Sequence, residues 1–143
     1  MSRSGYSEDC ETIQLYRANV ERSIQGKRGQ ALLRELKDAL LALPEKKLCS
    51  EFFANTQTGE VCALGAVALH RKIKSGMSVV EAIKEIDAKY PEGEDARSAA
   101  KEFNIAECLA AEITFVNDEM WNYKDDESRY DGVLKWVLDN LKD

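Results

Sequence analysis

At 143 residues and a net charge of -6, with 44% hydrophobic and 32% charged side chains, the chain has the composition of a soluble globular protein. That balance excludes a disordered tail, a collagen-like repeat and a membrane protein, and a domain of this length buries enough surface to fold without a disulfide or metal staple. The acids are unevenly spread: residues 1–71 carry ten basic and nine acidic side chains, residues 72–143 ten and seventeen, so the second half disfavours nucleic acid and anionic lipid and favours basic partners.

Ser7 ahead of Glu8, Asp9 and Glu11 is a helix start, with a capping hydroxyl and acids over the positive end of the dipole. Ile13, Tyr16, Val20 and Ile24 then recur at helical spacing, which predicts a first helix over 8–25. Gly26-Lys27-Arg28-Gly29 reads as a turn, followed by a helix over 30–43 with Leu32, Leu33, Leu36, Leu40 and Leu43 on one face, stopped by Pro44. Leu48 to Phe53 and Glu60 to Cys62 read as two short strands about the turn-rich Asn55–Gly59. Ala63 to Lys74 predicts a helix whose small residues Ala63, Gly65, Ala66 and Ala68 permit close backbone contact, and Ser78 with Glu81 opens the next helix, to about Lys89. A short helix over 94–103, a longer one from Ile105 to near Met120, a polar-aromatic loop at 121–126 and a last helix over 127–141 complete the chain. In that last helix Tyr130, Val133, Leu134, Val137, Leu138 and Leu141 are expected to face inward, and Gly132 weakens it slightly. The expected class is α+β, mostly α. It is one compact domain over 1–143, of about six helices and one short two-stranded β-hairpin. Within it residues 1–7 are disordered, 8–43 form a helical hairpin, 46–62 hold the β-hairpin and 63–141 are helical.

Residues for chemistry are sparse. Cys10, Cys49, Cys62 and Cys108 form no CxxC, and His70 is the one histidine, so no metal site or thioredoxin-type motif has usable spacing. Reduced thiols, no apolar signal core over Met1–Ser7 and no membrane-length apolar run point to a cytoplasm. The carboxylate pairs, such as Glu81/Glu85 and Glu107/Glu112, read as solvated surface, and Cys62 with His70 is a remote candidate for a catalytic pair or small-molecule pocket. No cofactor-binding motif is present, and an enzyme is the minority reading. Two surface features remain. The first is the Gly26–Gly29 turn, where Lys27 and Arg28, helped by Arg22 and Arg34, would hold phosphate as a KH module does, although the strand that precedes such a module's first helix is missing. The second is an acidic, aromatic stretch of Asp118, Glu119, Trp121, Tyr123, Asp125, Asp126 and Glu127, whose rings and carboxylates suit a basic protein surface.

Gly26-Lys27-Arg28-Gly29-Gln30, Leu43-Pro44-Glu45-Lys46-Lys47 and Gly59-Glu60-Val61-Cys62-Ala63-Leu64-Gly65-Ala66-Val67 together resemble a family of small uncharacterised proteins of bacteriophages and prophages. Asn117-Asp118-Glu119 and the Trp136-Val137 tail also fit; the match spans residues 6–74 well and the C-terminal third loosely, while 75–104 differs. The resemblance implies a bacterial cytoplasm and, by analogy with small acidic phage proteins, a bacterial host or defence protein as partner. The function expected on this reading is a non-enzymatic accessory protein that binds such a partner through its acidic surface. Nucleic-acid or phosphate binding at Lys27 and Arg28 is the first alternative, and a sensor or enzyme near Cys62 and His70 the second. The alanine-rich start of the third helix would also suit self-association.

Overall fold

The computed structural model describes residues 3–4 and 10–142. Among these described residues seven α-helices follow one another: α1 Cys10–Gln25, α2 Lys27–Ala42, α3 Ala63–Lys74, α4 Val79–Lys89, α5 Ala100–Phe103, α6 Glu107–Asp118 and α7 Asp126–Asn140, with a 3-10 turn at Ala96–Ala99 running into α5. The expected Ser7 cap and its acids Glu8 and Asp9 lie outside the described residues.

α6 is the hub, packing against α1, α3, α7 and the 3-10 turn, while α2 packs against α1, α3 and α7. Its composition explains the position: Leu109, Ala110, Ala111, Ile113 and Val116 are all buried, so the helix is apolar round most of its circumference and has neighbours on several sides. The leucine face of α2 is as expected at Leu32, Leu33, Leu36 and Leu40, each fully buried at roughly 1.5–3 kcal/mol of transfer free energy. Leu43 is half-buried and Leu41 is exposed. In α7 Tyr130, Val133 and Val137 face the core, but Leu138, expected inside, is 52% exposed because the buried stripe passes it by.

The β-hairpin expected within 46–62 does not form; the described residues contain no strand, and the fold is all-helical. One isolated antiparallel bridge, Ala54 with Val61, is what remains. The extended run is broken at Glu51, whose φ of 68° places it in the left-handed region. Past Ala54 the Asn55 carboxamide accepts from the amides of Gln57 (2.9 Å) and Thr58 (3.3 Å), bending the chain at once. The amides that a ladder would use are satisfied piecemeal: Cys49 N–H donates to Val61 (2.9 Å), Cys62 N–H to Phe53 (3.2 Å), and Leu48 N–H to the Asp126 carbonyl of α7 (3.1 Å). The segment is a wrapped loop that clamps Val61 from two sides.

Gly26-Lys27-Arg28-Gly29 is likewise no loop. Gly26 alone separates the helices, as the N-cap of α2 with φ -74° and ψ 167°, and Lys27 to Gly29 form the first helical turn. Gly29 is there for packing: a Cβ on it would meet the Ser23 carbonyl oxygen at 1.9 Å. Gly65 in α3 does the same against the Phe53 carbonyl, at 1.8 Å. This is where the close backbone contact expected of α3's small residues occurs, and it pins the wrapped loop to α3. Gly65→Ala is expected to force the two backbones apart, destabilising the protein by about 2–3 kcal/mol and lowering Tm by roughly 5–10 °C in a thermal melt.

Candidate functional site

The acidic, aromatic stretch is a connection between two helix ends. α6 closes with the amides of Glu119 (2.8 Å) and Met120 (3.0 Å) on the Phe115 carbonyl, and Asn122, with φ 47°, turns the chain. Asp125 then caps α7: its carboxylate accepts the Ser128 amide at 2.7 Å while the Ser128 hydroxyl accepts the Asp125 amide at 3.2 Å. The bond from the Ser128 amide also holds the Asp125 carboxyl below the usual carboxylate range. Tyr123 folds back; its hydroxyl donates to the Val116 carbonyl at 2.9 Å, the Arg129 guanidinium sits 5.1 Å from its ring centre, and burial pushes its phenol up to about 12. The ring rests where a Cβ on residue 132 would be, 2.5 Å from one ring carbon, so Gly132 makes room for it.

The seven residues singled out therefore divide. Glu119, Trp121 and Glu127 are exposed, and Trp121 at 62% is the most exposed aromatic side chain described. Asp126 is half-buried beside Arg129, at 3.7 Å. Tyr123 and Asp125 hold the loop and α7 in place. Asp118 is engaged by a residue that the sequence reading passed over. Arg3 is 3% exposed, and its Nε and Nη2 each lie 2.8 Å from one oxygen of the Asp118 carboxylate. Its third nitrogen donates to Cys62 Sγ at 3.8 Å, and the guanidinium stands 5.3 Å from the Phe53 ring centre. The Ser4 hydroxyl adds a bond to the Glu119 carboxylate at 3.0 Å. No local signal marks this pairing, since 115 residues separate its members.

Behind Asp118 stands Asn117, with no exposed surface. Its Oδ1 accepts the first amide of α3, Ala63, at 3.0 Å; its Nδ2 donates to the Cys49 carbonyl at 2.9 Å and to Asp118 Oδ1 at 2.7 Å; and its own carbonyl accepts Arg129 Nη1 at 2.7 Å.

The basic alternative is laid out differently from a phosphate-clamping loop. Arg22, Lys27 and Arg28 are exposed round a shallow depression that Gly26 and Gly29 floor, and Arg34 is exposed further along α2. Arg22 bonds Asn19, and Arg28 reaches Asn104 at 3.4 Å. Because Gly29 faces α1, the glycines do not open a path for a backbone phosphate; only the side chains could meet one.

A cleft of about 230 Å³ opens between the end of α2, the turn at 58–61, α3 and the start of α4. Leu43, Val61, Leu69 and Ile73 line it, with His70 and Glu60 at its polar edges. Cys62 is not part of it. Its sulfur caps α3, accepting the Gly65 amide at 3.4 Å, and faces Arg3, so the structure does not bring Cys62 and His70 together as a pair. Glu60 has a buried Oε1 with no hydrogen-bond donor, and the neighbouring Asp126 carboxylate, with burial, pushes its carboxyl up to about 7. Among the described residues no three His, Cys, Asp or Glu side chains are grouped to hold a metal ion, and no helix is long and apolar enough to cross a membrane.

No family model matches the chain, and no curated protein or solved structure is detectably similar to it; nothing in these comparisons bears on the phage resemblance.

Two outcomes follow from this geometry. Removing the Asn117 carboxamide strands the Ala63 amide and the Cys49 carbonyl in the interior, so Asn117→Ala is expected to destabilise the protein by about 3 kcal/mol in denaturant titration. The Glu60 carboxyl has a higher pKa folded than unfolded, so folding favours its protonated form. Its contribution is most favourable below the ordinary carboxylate pKa, is lost as pH rises towards about 7, and is a penalty above that. Glu60→Gln should therefore raise Tm at pH 8 and leave it nearly unchanged at pH 4.5, with a gain of about 1 kcal/mol or less because solvent screens a half-exposed carboxyl.

Proposed function

We propose that the chain is a non-enzymatic binding protein whose contact surface is the acidic corner between α6 and α7, and that its partner presents a basic protein surface. The observation that carries this reading is Trp121: a large aromatic side chain, 62% exposed, in a stretch of chain that also exposes the carboxylates of Glu119 and Glu127. An indole of this kind supplies contact area at small entropic cost and accepts Arg or Lys over its face, while flanking acids steer a basic partner and reject acidic ones. Tyr123 and Asp125 support the same reading by fixing both flanks of the loop. In the phage or prophage setting that the resemblance implies, the partner would be a bacterial host or defence protein, met in the cytoplasm.

The residues to change are those that do no structural work. Reversing Asp125 would remove the α7 cap and confound any binding result. Trp121→Ala combined with Glu127→Lys should keep Tm within about 2 °C of the wild type; Glu119 is left unchanged because its carboxylate holds the Ser4 hydroxyl. The same variant should lose capture of the protein partner from nuclease-treated bacterial lysate by at least about tenfold. Capture unchanged in this variant would overturn the reading. Capture that disappears with nuclease, and with Lys27→Glu/Arg28→Glu, would transfer the function to the basic depression at α2 and to nucleic acid.

A further inference from the structure

We infer that the cleft between the end of α2, the turn at 58–61, α3 and the start of α4 is a binding site for a small primary amine, its apolar body held between the helices and its ammonium group on the Glu60 carboxylate. The site does not depend on the acidic corner, and the two stand or fall separately.

The cleft exists because α2 and α3 present small side chains to it. Ala39 and Ala66 both line it and are buried, yet each carries only a methyl group, so the helices leave room that longer side chains would take up. Leu43, Val61, Leu69 and Ile73 complete an apolar lining. The space is open to solvent. Ile73 and Val79 line it while 43% and 48% exposed, and Thr58 and Gly59, from the turn, are exposed as well. A ligand that covers such apolar side chains removes their surface from water. Its volume of about 230 Å³ lies below the roughly 300 Å³ at which sites for drug-sized ligands begin. At about 30 Å³ for each water-sized unit, it takes a compact molecule of about eight to ten non-hydrogen atoms.

Charge selects the head group. Glu60 stands at one polar edge, and its Oε1 is shut off from solvent with no donor bonded to it. The carboxylates of Asp126 and Glu45 face Glu60, and so does the Lys47 ammonium, which itself stands 3.9 Å from Glu45. Arg129 lies 3.7 Å from Asp126 but is bonded through Nη1 to the Asn117 carbonyl and does not line the cleft. Three carboxylates against these two cations leave an excess of negative charge at this edge. A ligand carboxylate would add to that excess and a neutral head would leave it standing, whereas an ammonium offsets it. The ammonium also offers three donors from one compact point, one for Glu60 and another for the imidazole of His70 at the second polar edge.

The test is calorimetric titration of the full chain with phenethylamine at pH 8. At that pH the Glu60 carboxyl, pushed up to about 7 by its hydrogen bond with Asp126 and by burial, is mostly ionised. Phenethylamine should bind saturably, in the millimolar range or tighter, at least about fivefold better than phenethyl alcohol and better still than hydrocinnamate. Glu60→Gln keeps the shape of the side chain; it should lower the affinity for the amine to that for the alcohol and leave the alcohol unaffected. Ile73→Asn, at the half-exposed mouth, should weaken amine and alcohol alike. Amide chemical-shift changes should centre on Gly59 to Val61, His70 and Ile73. Absence of saturable binding, equal affinity for amine and alcohol, or indifference to Glu60→Gln would each overturn the site, as would shifts centred on Trp121. None of these results bears on the acidic corner, which is decided by the Trp121 variant and its protein partner.

Discussion

The structure depends on one buried carboxamide. Asn117 sits in the last turn of α6 and satisfies the first amide of α3, the Cys49 carbonyl of the wrapped loop and one oxygen of Asp118, while its carbonyl holds Arg129 of α7. Four separate segments are thereby referred to one point, at a side chain with no exposed surface. Apolar packing alone would bring α3, α6 and α7 together in several registers of similar energy. A fully satisfied polar centre selects among them, because every displacement leaves a buried donor or acceptor unmatched. Gln30 plays a comparable part at the opposite end: its amide nitrogen reaches the Ile24 and Asn140 carbonyls at 2.8 and 3.0 Å, and its oxygen accepts the Lys142 amide at 2.9 Å, joining the α1–α2 boundary to the C-terminus.

Around these polar points the helices were largely legible. α3 spans the expected Ala63–Lys74 and stops at Ser75-Gly76, with Gly76 at a φ of 101°, and Ser78 caps α4 through the Glu81 amide at 3.2 Å as its spacing requires. The turn at Tyr90–Gly93 is likewise where proline and glycine place it, with Gly93 at a φ of 80°. These features are local: a cap, a stop or a stripe is decided within about one helical turn. The stretch at 48–62 does not form the expected hairpin because two short runs about a turn-rich segment register only the tendency to extend and turn, not whether a partner strand lies alongside. Glu51 in the left-handed region has no sequence mark, and that single dihedral angle denies the ladder its register.

The candidate site was legible in its surface chemistry and hidden in its architecture. Clustering of acids and aromatics about Trp121 is visible in the order of residues. That Tyr123 and Asp125 are fixtures, while Trp121 is exposed, depends on the Val116 carbonyl and on the space left by Gly132. Arg3 was beyond reach for the same reason that contact between remote segments always is: its binding site is composed of side chains from the wrapped loop, the start of α3 and the end of α6. The glycines of the Gly26–Gly29 motif show the converse error. A G-x-x-G pattern is equally what a helix needs when its first turn must press against a neighbour's carbonyl, and here Gly29 serves that contact.

The anchoring of Tyr123 has a kinetic meaning. With the Met120 amide on the Phe115 carbonyl and the Tyr123 hydroxyl on the Val116 carbonyl, only Trp121 and Asn122 lie between fixed points. A loop so restrained has shed most of its conformational freedom during folding, so a partner docking on it, as proposed, would ask for little further ordering on this side. Differences among partners that meet such a surface would then be expressed chiefly in how long each complex persists, rather than in how quickly it forms.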